Sequence, residues 1–162
     1  MVATFAWSET YGGGTGTTGT PTNLNFGSTS AIDLVPSTYP ITAGTNSYEK
    51  FVRGYWSGSF TRVENVQYWK SAGSYVTGEA IKWYGDGNTS YTAATTDTST
   101  IATAAVPTAD PGTANVSIGG NLTGSLTATG YTDYVVLQTQ VTSTASAGAV
   151  NQKTFTLQYD EV

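Results

Sequence analysis

Cysteine and histidine are both missing from the 162 residues. Without them the chain has no disulfide staples, thiolate nucleophiles, imidazole bases or common zinc ligands. Charged side chains make up only 10 % and sum to -5, a balance that disfavours binding nucleic acid through its phosphates. No stretch approaches the ~20 consecutive apolar residues of a membrane helix, and no basic start leads into an apolar run. The expectation is a soluble chain made without export, with neither a membrane nor a nucleic acid as partner. Good helix formers, Leu, Glu, Lys and Arg, are scarce, so little helix is expected.

Hydrophobic residues make up 38 % and aromatics 12 %, with 11 Tyr and 4 Trp, too much to leave the chain disordered. The length suits one domain with a real core. Thr, Ser, Gly, Val and Tyr dominate, a strand-forming composition. Phe5-Ala6-Trp7-Ser8-Glu9 alternates as a short strand, followed by the glycine-rich run Tyr11–Asn23. Asn23–Thr45 carries Pro36 and Pro40 and reads as an extended segment lying on a surface. Tyr48–Trp56, a Ser57-Gly58 turn, Ser59–Val63 and Val66–Lys70 read as strand, turn, strand. Gly78–Tyr84 reads as a further strand closed by a turn at Gly85-Asp86-Gly87-Asn88. Thr89–Gly119 reads as short strands joined by long loops. Tyr134–Val141 and Thr154–Tyr159 read as a closing antiparallel hairpin. Seven to nine strands predict an all-β, antiparallel two-sheet sandwich of jelly-roll or immunoglobulin-like type. Residues 1–27 form a strand and an extended glycine-rich arm in this reading, and residues 28–162 the single sandwich domain.

Gly14-Thr15-Gly16-Thr17-Thr18-Gly19 fits the G-x-G-x-x-G pattern of dinucleotide-binding loops. That pattern holds a pyrophosphate only when it opens a helix, and Pro21, Asn23, Asn25 and Gly27 follow with no helical apolar spacing. Backbone freedom is the better reading, and no cofactor or metal is expected. Lys50, Arg53, Arg62, Lys70 and Lys82 interleave with aromatics, as in single-strand nucleic-acid binders. Glu49, Glu64 and Glu79 lie among them, which favours cross-strand ion pairs. Trp56, Trp69 and Trp83, with Tyr55, Tyr68, Tyr75 and Tyr84, suit either a core or interface or a sugar-stacking platform. Glu49, Glu64, Glu79 and Asp86 suit solvated or ion-paired roles better than a glycosidase pair. Asp86-Gly87-Asn88 is a turn rather than a calcium loop, and three N-x-S/T sequons at Asn88, Asn115 and Asn121 are matches a Ser/Thr-rich chain produces by chance.

The run NLNFGSTSAIDLVPSTYPITAGTNSYEKFVRGYWSGSFTRVENVQYWKSAG, Asn23–Gly73, with the ending TFTLQYDEV, resembles small β-rich virion proteins of tailed bacteriophages, most of all their head decoration or cement proteins. The resemblance is one of texture, covers about half the chain and carries over no catalytic residue. It implies a non-enzymatic protein on the capsid surface of a virion, made in the host cytoplasm, that binds and stabilises neighbouring major capsid subunits. It also implies association with itself, as a trimer. Expected contact residues are Phe5, Trp7, Tyr11, Leu24 and Phe26 in the arm, and Phe51, Arg53, Tyr55, Trp56 and Trp69 in the aromatic strands. A glycan-binding module of a tail tip or fibre, and a tail or neck subunit, are the alternatives.

Overall fold

The computed structural model describes residues 2–146, 148 and 151–162. Among these there is no helix, and nine strands form two antiparallel sheets. They are β1 (Ala3–Tyr11), β2 (Thr17–Gly19), β3 (Lys50–Gly58), β4 (Val63–Ala72), β5 (Glu79–Tyr84), β6 (Ala104–Ala105), β7 (Gly130–Tyr131), β8 (Val135–Val141) and β9 (Thr154–Glu161). The larger sheet runs β2-β1-β3-β8-β5-β6, with β7 also against β3, and β4 pairs only with β9. The all-β, antiparallel expectation holds.

Period-two alternation decides which side chains meet. Val52 and Trp56 of β3, Ile81 and Trp83 of β5, and Val135 and Leu137 of β8 share one buried cluster with Val63, Val66 and Tyr68 of β4. Phe155, Leu157 and Tyr159 of β9 close that cluster while remaining partly buried. The Tyr68 ring lies flat between Trp83, at 6.0 Å, and Phe155, at 5.6 Å. Gly54 is required here by close approach: a Cβ on it would fall 2.4 Å from the Trp56 indole, which folds back over it. On the reverse face of the larger sheet, Phe51, Tyr134 and Val136 pack with Ala102, Ile101 and Tyr91.

Four local expectations are corrected. Tyr134–Val141 and Thr154–Tyr159 do not pair: β8 lies between β3 and β5, whereas β9 joins β4. Burial explains the difference, since Val135–Thr139 is buried on both faces and must be central, while β9 has one apolar and one polar face. The Ser57-Gly58 turn does not make a hairpin. Gly58, at φ 91°, turns the chain out of the larger sheet, so β3 and β4 face each other across the core. The two short strands expected at Ser59–Val63 and Val66–Lys70 are replaced by the single β4, bulged where Asn65 takes φ 52°. Of the Thr89–Gly119 tract, only Ala104–Ala105 is a strand.

The glycine run makes a hairpin turn rather than a phosphate cradle. β2 folds back on β1 with Tyr11 opposite Thr17 and Glu9 opposite Gly19. The Gly16 N–H closes onto the Gly13 carbonyl, and the Tyr91 hydroxyl donates to the Gly12 carbonyl. Gly12, Gly14 and Gly16 have φ of 87°, 63° and 76°, a region glycine enters without penalty.

Candidate functional site

Hydrogen-bond direction along β1 identifies the most unusual surface of the molecule. Trp7 stands opposite Gly54, but Gly54 spends its N–H on the Thr132 hydroxyl and its C=O on the Thr132 N–H. Trp7 and Gly54 are therefore a non-hydrogen-bonded pair, and the Trp7 N–H and C=O face away from β3. The Ala3 N–H faces the same way, donating to Glu161 Oε1 at 2.9 Å. Phe5, lying between them with the same parity, must do likewise. β2 covers this edge only from Glu9 to Tyr11, so the main-chain groups of Phe5 and Trp7 have no partner among the described residues.

The same argument applies to β9. Tyr68 exchanges its backbone bonds with the Asn115 side chain, and the Lys70 N–H goes to the Pro107 carbonyl. Tyr68 and Lys70 stand opposite Leu157 and Phe155, so Phe155 and Leu157, and by parity Tyr159, turn their N–H and C=O groups away from β4. Nothing among the described residues accepts or donates there.

These two open edges lie side by side. The Phe5 and Tyr159 rings stack at 6.3 Å, Phe5 meets Trp56 at 5.2 Å and Trp7 meets Tyr68 at 6.1 Å. Inward-facing side chains of both edges, Phe5, Trp7, Phe155, Leu157 and Tyr159, are all only partly buried. Free strand edges template pairing with another chain, and folded proteins blunt them with short strands, lysines or proline. The outer strands β2 and β6, with three and two residues, obey that rule. The eight-residue β9, TFTLQYDE, holds neither lysine nor proline.

A matched pair of proline substitutions checks the assignment. Leu157→Pro removes an N–H that bonds nothing and should keep stability within about 2 kcal/mol of the parent, mostly lost packing. Gln158→Pro removes an N–H directed at β4 and should cost about 3 kcal/mol or more. Equal losses in urea unfolding would show that the edge is assigned wrongly.

Of the residues expected to make contacts, Phe5 and Trp7 line the seam, and Leu24 and Phe26 pack half-buried against the same core. Phe51 and Trp56 are corrected: at 1 % and 0 % exposed they support the sheet from within and cannot meet a partner directly. Tyr11 is half-buried at the β1–β2 turn, and Trp69 is half-buried on β4. Arg53 and Tyr55 lie on the far face of the larger sheet, against Tyr131. Sugar stacking by Trp56 or Trp83 is excluded by their burial at 0 % and 8 % exposed. Sequence reasoning did not single out β9, although its lack of lysine and proline was a usable signal.

The carboxylates are dispersed over separate tasks. Glu49 binds the backbone of Thr100–Ala102, Glu64 pairs with Arg62, Glu79 pairs with Lys153, and Asp86 is exposed. No group of three or more metal-ligating side chains occurs among the described residues. The chain matches no protein-family model, no curated protein and no solved structure. The seam is thus read from its own geometry.

Proposed function

We propose that this protein is a non-enzymatic structural subunit that holds its neighbours by strand addition along the β1/β9 seam. What supports the reading most is the pair of unpartnered strand edges set side by side over half-buried aromatic rings. A neighbour's extended segment can satisfy those main-chain groups, and main-chain bonding of this kind needs no special side chains. Alternating side chains of the added strand would cover Phe5, Trp7, Leu157 and Tyr159. The abundance of uncharged Thr, Ser and Asn suits large contacts that desolvate few ions.

The resemblance of Asn23–Gly73 and of the carboxyl terminus to tailed-phage virion proteins supplies the setting. In it, the protein is a capsid decoration subunit that clamps neighbouring major capsid subunits and stabilises the shell, assembling as a trimer. The two packed layers are then a sandwich of jelly-roll or immunoglobulin-like type, and the segment up to Gly27 is the expected arm, its hairpin folded back on β1 and Leu24 and Phe26 resting on the core. Cryo-electron microscopy of the intact particle is the test. The expected map places the chain on the shell with a neighbour's strand beside β9, and Leu157→Pro should lower its occupancy at least tenfold. A position in the tail, or full occupancy by Leu157→Pro, overturns the reading.

A further inference from the structure

We propose that Arg53 forms a receptor for a single carboxylate, an aspartate or glutamate side chain of a neighbouring protein. The far face of β3 carries Arg53 between the flanking residues Phe51 and Tyr55. Its guanidinium carbon lies 3.9 Å from the centre of the Tyr131 ring and 4.5 Å from that of Tyr134. Both rings lie within cation–π reach of the guanidinium and fix its place on this face. No carboxylate meets them. The ion pairs among the described residues are Lys50–Glu9, Arg62–Glu64 and Lys153–Glu79. The closest acid in sequence to those two tyrosines, Asp133, is spent on the Ser117 hydroxyl and the N–H groups of Gly119 and Gly120.

Two buried polar atoms give the site a second, independent mark. The Arg53 Nε is buried and has no hydrogen-bond partner. Ser8, directly opposite Arg53 in the β1–β3 ladder, has a buried Oγ that is equally orphaned. Orphaned buried donors are rare in folded proteins because each loses its hydration and regains nothing. Of six such side-chain atoms among the described residues, these two sit on paired residues of one sheet face. Tyr134 reaches over this face to hydrogen-bond Thr10 on β1, fixing one wall, while Tyr131 is 39 % exposed and forms the outer wall.

Shape and charge choose the ligand. A guanidinium fork matches carboxylate and phosphate alike, but a carboxylate is flat and carries one charge, whereas a phosphate dianion is wider and is repelled more strongly by a chain of net charge -5. Sugar stacking is disfavoured because Tyr131 already has Arg53 against its ring and Tyr55 at 4.7 Å. A protein carboxylate as occupant rests on the reading of the chain as a structural subunit. The test below is nevertheless separate, because it needs no particle and does not involve the seam.

The experiment follows the Arg53 Nε–H resonance of the nitrogen-labelled protein during titration with acetyl-glutamate-amide, acetyl-glutamine-amide or inorganic phosphate. The glutamate compound should shift that resonance saturably, with at least tenfold weaker effects from the glutamine compound and from phosphate. Arg53→Lys should lose the saturable shifts at Tyr131 and Ser8 while keeping the parent's unfolding midpoint. If that variant fails to fold, the comparison of the three compounds on the parent protein decides alone. Equal responses to glutamate and glutamine, stronger binding of phosphate, or no shift at all would each overturn the carboxylate site.

Discussion

Replacing Lys50 by methionine is expected to destabilise the fold by about 3–5 kcal/mol at neutral pH, the usual cost of stranding one member of a buried ion pair. Lys50 Nζ lies 2.5 Å from Glu9 Oε1, with the two side chains 5 % and 1 % exposed. Lys50 also donates to the Ala31 carbonyl, so it ties β3 to β1 and to the segment that follows β2. Glu9 is the weaker partner: its Oε2 is buried without a hydrogen bond. Burial pushes the Glu9 carboxyl above its ordinary value, outweighing the attraction of Lys50 that acts in the opposite direction.

The pH dependence follows from that direction. A raised value means that the folded chain holds the Glu9 proton more tightly than the unfolded chain does. This group's contribution to stability is full below its unfolded value near 4.5 and is lost as pH rises through the higher folded value. In Lys50→Met the carboxylate has no counter-ion, so protonation relieves it further, and the gap to the parent should narrow between pH 7 and pH 5. Converting both residues, Glu9→Leu with Lys50→Met, should recover most of the loss, because replacing a whole buried pair by apolar groups is close to neutral. Urea unfolding of the parent, the single variant and the double variant at both pH values measures this. A single-variant loss under about 1 kcal/mol, or a gap that widens in acid, would show that the pair does not carry this load.

How much of this was legible in the sequence depends on how local the cause is. The β1, β3, β5 and β8 strands were visible because alternation and β-branched runs are properties of the chain itself. Pairing was not visible. Whether Thr154–Tyr159 joins β8 or β4 depends on which faces are already covered, a property of the assembled layers. The same holds for the glycine run, whose turn is fixed partly by Tyr91 donating to Gly12 across 79 positions. At the seam, Phe5 and Trp7 could be nominated as contacts from their type and place. The direction of their N–H groups could not, because it is set by Gly54 turning to Thr132. Arg53 was nominated for its aromatic neighbours. Its lack of an acceptor emerged only once every nearby carboxylate was seen to be committed elsewhere.

Glu49 is the second place where a large loss is expected, and it was the least predictable in kind. Sequence patterning suggests a cross-strand ion pair for it, but the carboxylate instead organises a loop. Glu49 Oε1 accepts the N–H groups of Thr100, Ile101 and Ala102 at 2.9, 2.8 and 2.8 Å, and Oε2 accepts the Thr100 hydroxyl at 2.6 Å. A carboxylate is suited to this because it is an acceptor at every lone pair. The loop it captures brings Ile101 and Ala102 into the cluster of Phe51 and Val136, so this one side chain holds two of the cluster's members in place. Glu49→Ala orphans those three N–H groups, each costing about 1–3 kcal/mol if it stays buried. The loop will partly release instead, so the expected total is about 4 kcal/mol, with the Phe51 cluster opened to water. Glu49→Gln keeps one acceptor oxygen and should cost about half as much. Hydrogen exchange at residues 100–102 should accelerate strongly in the alanine variant while exchange in β4 and β9 changes only by the global loss. Unchanged protection at those three amides in Glu49→Ala would mean that the loop is held by its apolar contacts, with the carboxylate incidental.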